Sequence, residues 1–142
     1  MIPILFDSKA TIEYETNGMG ALVDVGYCTV TEERNGMFEL QMQYPSNGHL
    51  YNELCVDRQI LAKPNDTSNP QAFRIYKITK PMNGVVTVNA EHISYQLSSI
   101  IVNPFSATNI GEALDQIKRN SLSVNPFEFD DMGRTTKANM ST

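Results

Sequence analysis

The sequence predicts a mainly β protein of the α+β class, with antiparallel hairpins first and a short helix-containing segment after them. Three observations carry this reading. Phe38, Leu40, Met42 and Tyr44 alternate with Glu39, Gln41 and Gln43, the period of a half-buried strand. Two Asn-Gly pairs, Asn35-Gly36 and Asn83-Gly84, each separate β-rich runs, and both residues of such a pair can take the positive φ of a tight hairpin. Beyond residue 90 the apolar spacing changes from two to three and four.

Taken in order, Ile2 to Phe6 and Thr11 to Glu15 are short strand candidates. Residues 24–44 form the first hairpin: Tyr27-Cys28-Thr29-Val30-Thr31 is rich in β-branched and aromatic side chains and pairs with the alternating run after the Asn35-Gly36 turn. A helical turn is expected near Leu50–Cys55. Arg58 to Lys63 reads as a strand, stopped by Pro64, which has no N–H to give to a ladder. Ala72 to Thr79 and Val85 to Ala90 form the second hairpin, joined by Pro81-Met82-Asn83-Gly84. Period-two counting along its first strand puts Arg74, Tyr76, Ile78 and Lys80 on one side.

Ile93, Leu97 and Ile100 predict a short amphipathic helix near 90–99, broken by Asn103-Pro104. A second helix starts at Asn109, with Asn109 capping the first turn and Glu112 reaching back. Ile110, Ala113, Leu114 and Ile117 share its apolar face, and Lys118 and Arg119 sit where the helix dipole favours cations. Phe127-Glu128-Phe129 opens a further strand, and Asp130 to Thr142 runs polar without an apolar period, so no element is expected there. The expected organisation is a β domain over residues 1–100 and the beginning of a second α+β domain over 101–142, the chain stopping inside it.

Composition narrows the function. The 142 residues carry a net charge of −5, the wrong sign for neutralising nucleic-acid phosphates. Residues 1–60 hold Lys9, Arg34 and Arg58 against nine acids, so the negative excess lies in the first part of the chain. No stretch is long and apolar enough for a membrane span, and the N-terminal Met1 to Asp7 lacks the basic start of a signal peptide, which predicts an unexported chain that does not bind membranes. Cys28 and Cys55, far apart and without Cys-x-x-Cys spacing, read as reduced and mostly buried thiols.

No sequence motif for catalysis, phosphate binding or metal binding is present, so the expectation is no catalytic, cofactor-binding or metal residues and no cofactor. His49 lies in the turn-rich Pro45 to His49 stretch and reads as a solvated loop residue. His92, beside Glu91, reads as a capping or packing residue rather than a general base. Asn65 to Pro70 offers several oxygens but lacks the glycine and distal acid of a calcium loop. Arg74, Tyr76, Ile78 and Lys80 make the best candidate binding face, and the same pattern also suits a strand at a subunit contact. Glu32 and Glu33 are neighbours on a strand, point to opposite sides and cannot flank one scissile bond, which weighs against the alternative of a small cell-wall hydrolase or carbohydrate-binding β-domain.

Longer runs carry a resemblance. Cys28-Thr29-Val30-Thr31-Glu32-Glu33-Arg34-Asn35-Gly36-Met37-Phe38-Glu39-Leu40-Gln41-Met42-Gln43-Tyr44-Pro45 resembles the signature near the start of phage and prophage tail-associated proteins, the minor structural or prophage endopeptidase tail proteins of Gram-positive hosts. Ile2 to Asp7, Phe73 to Ile78, the Lys80-Pro81 turn, Ala90 to Leu97, Asn109 to Leu114 and Asn125 to Phe129 are similar to segments of the same family. The resemblance implies a hub-type β-barrel domain like that of the trimeric baseplate hub of contractile-tailed phages. It further implies a homotrimer in the virion tail, assembled in the bacterial host cytoplasm, with the distal tail protein and the tail tube or tape-measure protein as partners. DNA would pass through without specific binding, and any endopeptidase activity would lie in a C-terminal region absent from this sequence.

Overall fold

The computed structural model describes residues 1–8, 12–123, 125 and 127, and the backbone of 137–141. Nine strands, β1 Ile4–Phe6, β2 Gly20–Ala21, β3 Tyr27–Glu32, β4 Phe38–Pro45, β5 Gln59–Ala62, β6 Gln71–Ile78, β7 Val85–His92, β8 Ser106–Asn109 and β9 Lys137–Ser141, are found among these residues with one α-helix, α1 Ile110–Arg119. The chain divides into two units, Met1–Ser94 and Tyr95–Thr142.

The first unit is one antiparallel sheet in the order β2-β1-β5-β6-β7-β4-β3. This order forces curvature. The outermost strands β2 and β3 follow each other in the chain, six residue steps from Ala21 to Tyr27. A chain of that length reaches at most ~22 Å, whereas seven flat strands place their outer members ~29 Å apart at a spacing of ~4.8 Å. The sheet therefore curls into a half-barrel.

Both hairpins form where the Asn-Gly pairs predict. In the second, Asn83 (φ 53°) and Gly84 (φ 75°) both take positive φ, and Met82 and Val85 exchange two backbone hydrogen bonds across the turn. In the first, only Asn35 (φ 57°) is left-handed, because Glu33 N donates to Met37 O and lengthens the loop by a residue. β3 pairs β4 from Tyr27↔Gln43 to Glu32↔Phe38, and β4 pairs β7 from Glu39↔Glu91 to Pro45↔Val85.

The alternation along β4 holds: Leu40, Met42 and Tyr44 are fully buried, and Phe38 is half-buried against the same core. Val86, Val88 and Ala90 of β7, Phe73 and Ile75 of β6, Ile60 and Ala62 of β5, and Leu5 and Leu22 complete that core. Each of the Val, Leu, Ile, Phe and Met side chains among these contributes ~1.5–3 kcal/mol of burial. A 3-10 turn at Tyr51–Glu53, where a helical turn is expected, brings Leu50, Tyr51 and Leu54 onto it. A smaller cluster of Phe6, Leu61 and Ala72 is packed by Ile4, Ile12, Tyr14 and Ile93.

Several elements differ from the expectations. Residues 12–15 are not a strand, and Thr11 lies outside the described residues. Tyr14 instead folds over the smaller cluster, edge-on to Phe6 at 5.4 Å and donating its hydroxyl to Gln59 Oε1, and Gly20–Ala21 takes the place beside β1. The helix expected near 90–99 is a 3-10 helix, Ile93–Ser99, because β7 continues through His92 to pair with Phe73. Cys55 is exposed rather than buried; Cys28 is half-buried, and burial pushes its thiol up to about 11.

In the second unit α1 begins as expected: Asn109 Oδ1 accepts from Glu112 N at 2.7 Å. Glu112 reaches one residue further back than a capping box requires, accepting from Thr108 N (3.1 Å) and Thr108 Oγ1 (2.7 Å), which holds its carboxyl below its usual pKa. Ala113 is buried on the apolar face. Phe127 is not in a strand; its N–H donates to Asn125 Oδ1, and Glu128 and Phe129 lie outside the described residues. The polar tail is not without structure. β9 pairs antiparallel with β8, Ser106↔Ser141 and Ala107↔Met140, so the segment around α1 has a sheet of its own. Backbone pairing of this kind needs no apolar period, which is why the sequence pattern does not show it.

Candidate interaction face

The alternation that buries one side of β3, β4, β7 and β6 presents the other as a polar face. β4 contributes Glu39, Gln41 and Gln43; β3 contributes Tyr27, Thr29 and Thr31; β7 contributes Thr87, Asn89 and Glu91. Register sets these side chains in rows across the sheet. Tyr27 Oη donates to Gln41 Oε1 (3.1 Å) and Gln41 Nε2 donates to Asn89 Oδ1 (3.3 Å), a chain across three strands. Such cross-strand pairs stabilise the sheet by a few tenths to ~1 kcal/mol each.

β6 closes the face, with a correction. Arg74 and Tyr76 lie on the polar side, but the register shifts between Ile75 and Lys77, so Ile78 packs toward the core. A bulge consumes one residue and reverses the alternation after it. Arg74, Tyr76, Ile78 and Lys80 therefore do not share a side. Nor is Arg74 a free cation: Nη1 donates to Asp57 at 2.5 Å and Nη2 to Glu91 at 2.8 Å, both raising its pKa, Glu91 foremost. Its Nε is buried without a partner. Tyr76 Oη donates to Glu39 Oε2 at 3.2 Å. Two carboxylates on one guanidinium leave little to attract a phosphate.

The acids of the first hairpin are divided. Glu39 lies on the polar face, whereas Glu32, opposite Phe38 at the end of β3, lies on the side of His92, where burial lowers the ring's pKa and Glu32 offsets part of that. His49 is exposed, its backbone N–H donating to Asp24 Oδ2 at 2.6 Å and its carbonyl accepting from Tyr44 Oη. Asn65 Oδ1 accepts from Thr67 N, Thr67 Oγ1 and Ser68 N, so the oxygen-rich loop is a side-chain-stabilised turn. Among the described residues, no three His, Cys, Asp or Glu side chains gather as metal ligands would.

One serine and one histidine do meet. Ser94 Oγ is 2.8 Å from His92 Nδ1, and His92 Nε2 is 3.0 Å from Gln71 Oε1. The pair is local: Ser94 N donates to the same Nδ1 at 3.2 Å, occupying the lone pair that a general base needs, and among the described residues no carboxylate accepts a hydrogen bond from the ring. An open hollow of ≈ 540 Å³ lies elsewhere, lined by Phe6, Asp7, Ile12, Glu13, Thr16, Gly18 and Met19.

The geometry is that of a curled antiparallel sheet with a hydrogen-bonded amide and hydroxyl face. No family model matches the sequence, and no curated protein matches it at the sequence level. The fold is similar to that in the crystal structure of prophage tail protein gp18 from Listeria monocytogenes EGD-e, with a TM-score of 0.62 at 15% sequence identity. The match covers 99% of this chain and 40% of that one, so this chain spans about two fifths of that protein's length.

Proposed function

We propose that this chain is a structural, non-enzymatic module of a phage tail tip. It acts as part of a baseplate hub, connecting the distal tail ring and tube to a fibre or spike and forming part of the DNA channel. The observation that carries this reading is the likeness of nearly the whole chain to a prophage tail protein, in a fold whose face offers hydrogen bonds rather than a reaction centre. The module is a homotrimer in the virion tail, assembled in the bacterial host cytoplasm, and its partners are the distal tail protein and the tail tube or tape-measure protein.

The polar face of β3, β4 and β7 lines the channel in this proposal. A channel must pass DNA without holding it. Gln41, Gln43, Thr87 and Asn89 carry no charge, Glu39 is offset by Lys77, which the register sets opposite Asn89, and Arg74 carries two acids, Asp57 and Glu91, which leaves one net negative charge. A weakly anionic wall repels phosphate over a Debye length of ~8 Å at physiological salt. Immunogold labelling of virions through a tag at the exposed Pro81–Gly84 turn tests the placement: gold at the tail tip is expected, and gold on the head or along the shaft would overturn it.

A further inference from the structure

We propose that His92 is a protonation-sensitive latch: as the neutral ring it fastens Ser94, where the half-barrel unit ends, and as the cation it releases that residue's backbone. The geometry fixes the ring's state. Ser94 N–H donates to Nδ1 (3.2 Å), so Nδ1 carries a lone pair and the ring proton sits on Nε2, donating to Gln71 Oε1 (3.0 Å). The Ser94 hydroxyl lies on the same Nδ1 at 2.8 Å. The ring stacks on Phe38 at 4.3 Å with planes 13° apart and meets the edge of Phe73 at 5.5 Å. The three rings form one cluster, Phe38 also meeting Phe73 at 5.4 Å, and hydrogen bonds hold the imidazole at both nitrogens.

Protonation places a hydrogen on Nδ1. The hydroxyl of Ser94 can turn and accept it, but the backbone N–H of Ser94 then faces a donor and loses its partner. Ser94 is the second residue of the Ile93–Ser99 3-10 helix, so the start of that helix loosens from β7.

The charged groups around the ring are few. Glu32 of β3 favours the cation; Glu39 of β4, and Glu91 and Arg74 of β7 and β6, lie on the other side of the sheet, the last two paired with each other. Burial holds the ring below its usual pKa of 6.5, and Glu32 only partly offsets this. With the folded-state value depressed, the neutral ring's stabilisation is complete above the unfolded value of ~6.5 and is lost as pH falls below it.

The test is nitrogen-15 NMR of the His92 imidazole in the full chain, with amide-exchange protection at each pH taken relative to an unstructured chain. The expected result is an Nε2–H tautomer at pH 7.5, a His92 midpoint below 6.5, and a roughly fivefold loss of Ser94 protection on that midpoint, while Ile75 and Val88 keep theirs. In His92→Gln the Ser94 protection becomes independent of pH. An Nδ1–H tautomer, a midpoint at or above 6.5, or constant Ser94 protection through the wild-type titration would overturn the proposal. The wild-type titration decides even where the variant fails to fold.

Discussion

Replacing Phe73 by Ala tests the core at the point where β5, β6 and β7 meet. Phe73 is 0% exposed, pairs with Ile60 on one side and His92 on the other, and holds Phe38 edge-on at 5.4 Å. A fully buried Phe→Ala change costs about 3–5 kcal/mol through lost burial and the cavity left behind. Domains of this size are stable by only ~5–15 kcal/mol, so the variant should be near the limit of folding. With a urea slope of ~1–3 kcal/mol per M, a loss of ~4 kcal/mol lowers the midpoint by roughly 2 M. Phe38→Ala supplies the ruler. Its ring is only half-buried, so its loss should cost about 1.5–2.5 kcal/mol rather than the full amount. The chain has no tryptophan, so unfolding is followed by far-ultraviolet circular dichroism. A Phe38→Ala cost equal to or above that of Phe73→Ala would refute this description of the core.

The two hairpin turns should respond differently to an added methyl group. Gly84→Ala must carry a side chain at φ +75° and should lose ~1–2 kcal/mol of stability, while Gly36→Ala needs no left-handed backbone, meets Glu33 Oε2 (3.0 Å) and Cβ (3.1 Å), and should lose less, both read by thermal melting. Asn109→Ala removes the cap of α1 and should cost ~1 kcal/mol, seen as faster amide exchange in the first turn of that helix. At pH 7.5 a maleimide should label exposed Cys55 quickly and Cys28 slowly, since the thiol of Cys28 is pushed up to about 11; mass spectrometry showing equal rates would contradict its burial.

Much of the half-barrel is legible in the sequence because its strands bury one face and expose the other. Period two along β4 and the Asn-Gly pairs place both hairpins, while the register of the first follows from its longer loop. The polar side of β4 is legible in the same way, so Glu39, Gln41 and Gln43 can be named before the structure. What the pattern misses has physical causes. β2 is two residues long and has no period to show. The bulge after Ile75 reverses the alternation, so counting by twos along β6 sends Ile78 to the wrong side. β9 pairs with β8 through its backbone, and its polar sequence shows no apolar period to announce a strand. The stack of His92 on Phe38 joins β7 to β4 across 54 positions of sequence, and only the register of the folded sheet brings them together. The curl is legible only once the strand order is known, from the short step between β2 and β3.

The most direct test of the hub reading is an electron cryomicroscopy reconstruction of the assembled tail tip. Three copies should surround the channel beneath the distal tail ring, with Glu39, Gln41 and Gln43 turned toward the lumen. Copies at the tip with these residues on the outer wall would contradict the lining but leave the hub. Absence of the half-barrel from the tip would contradict the proposed function itself.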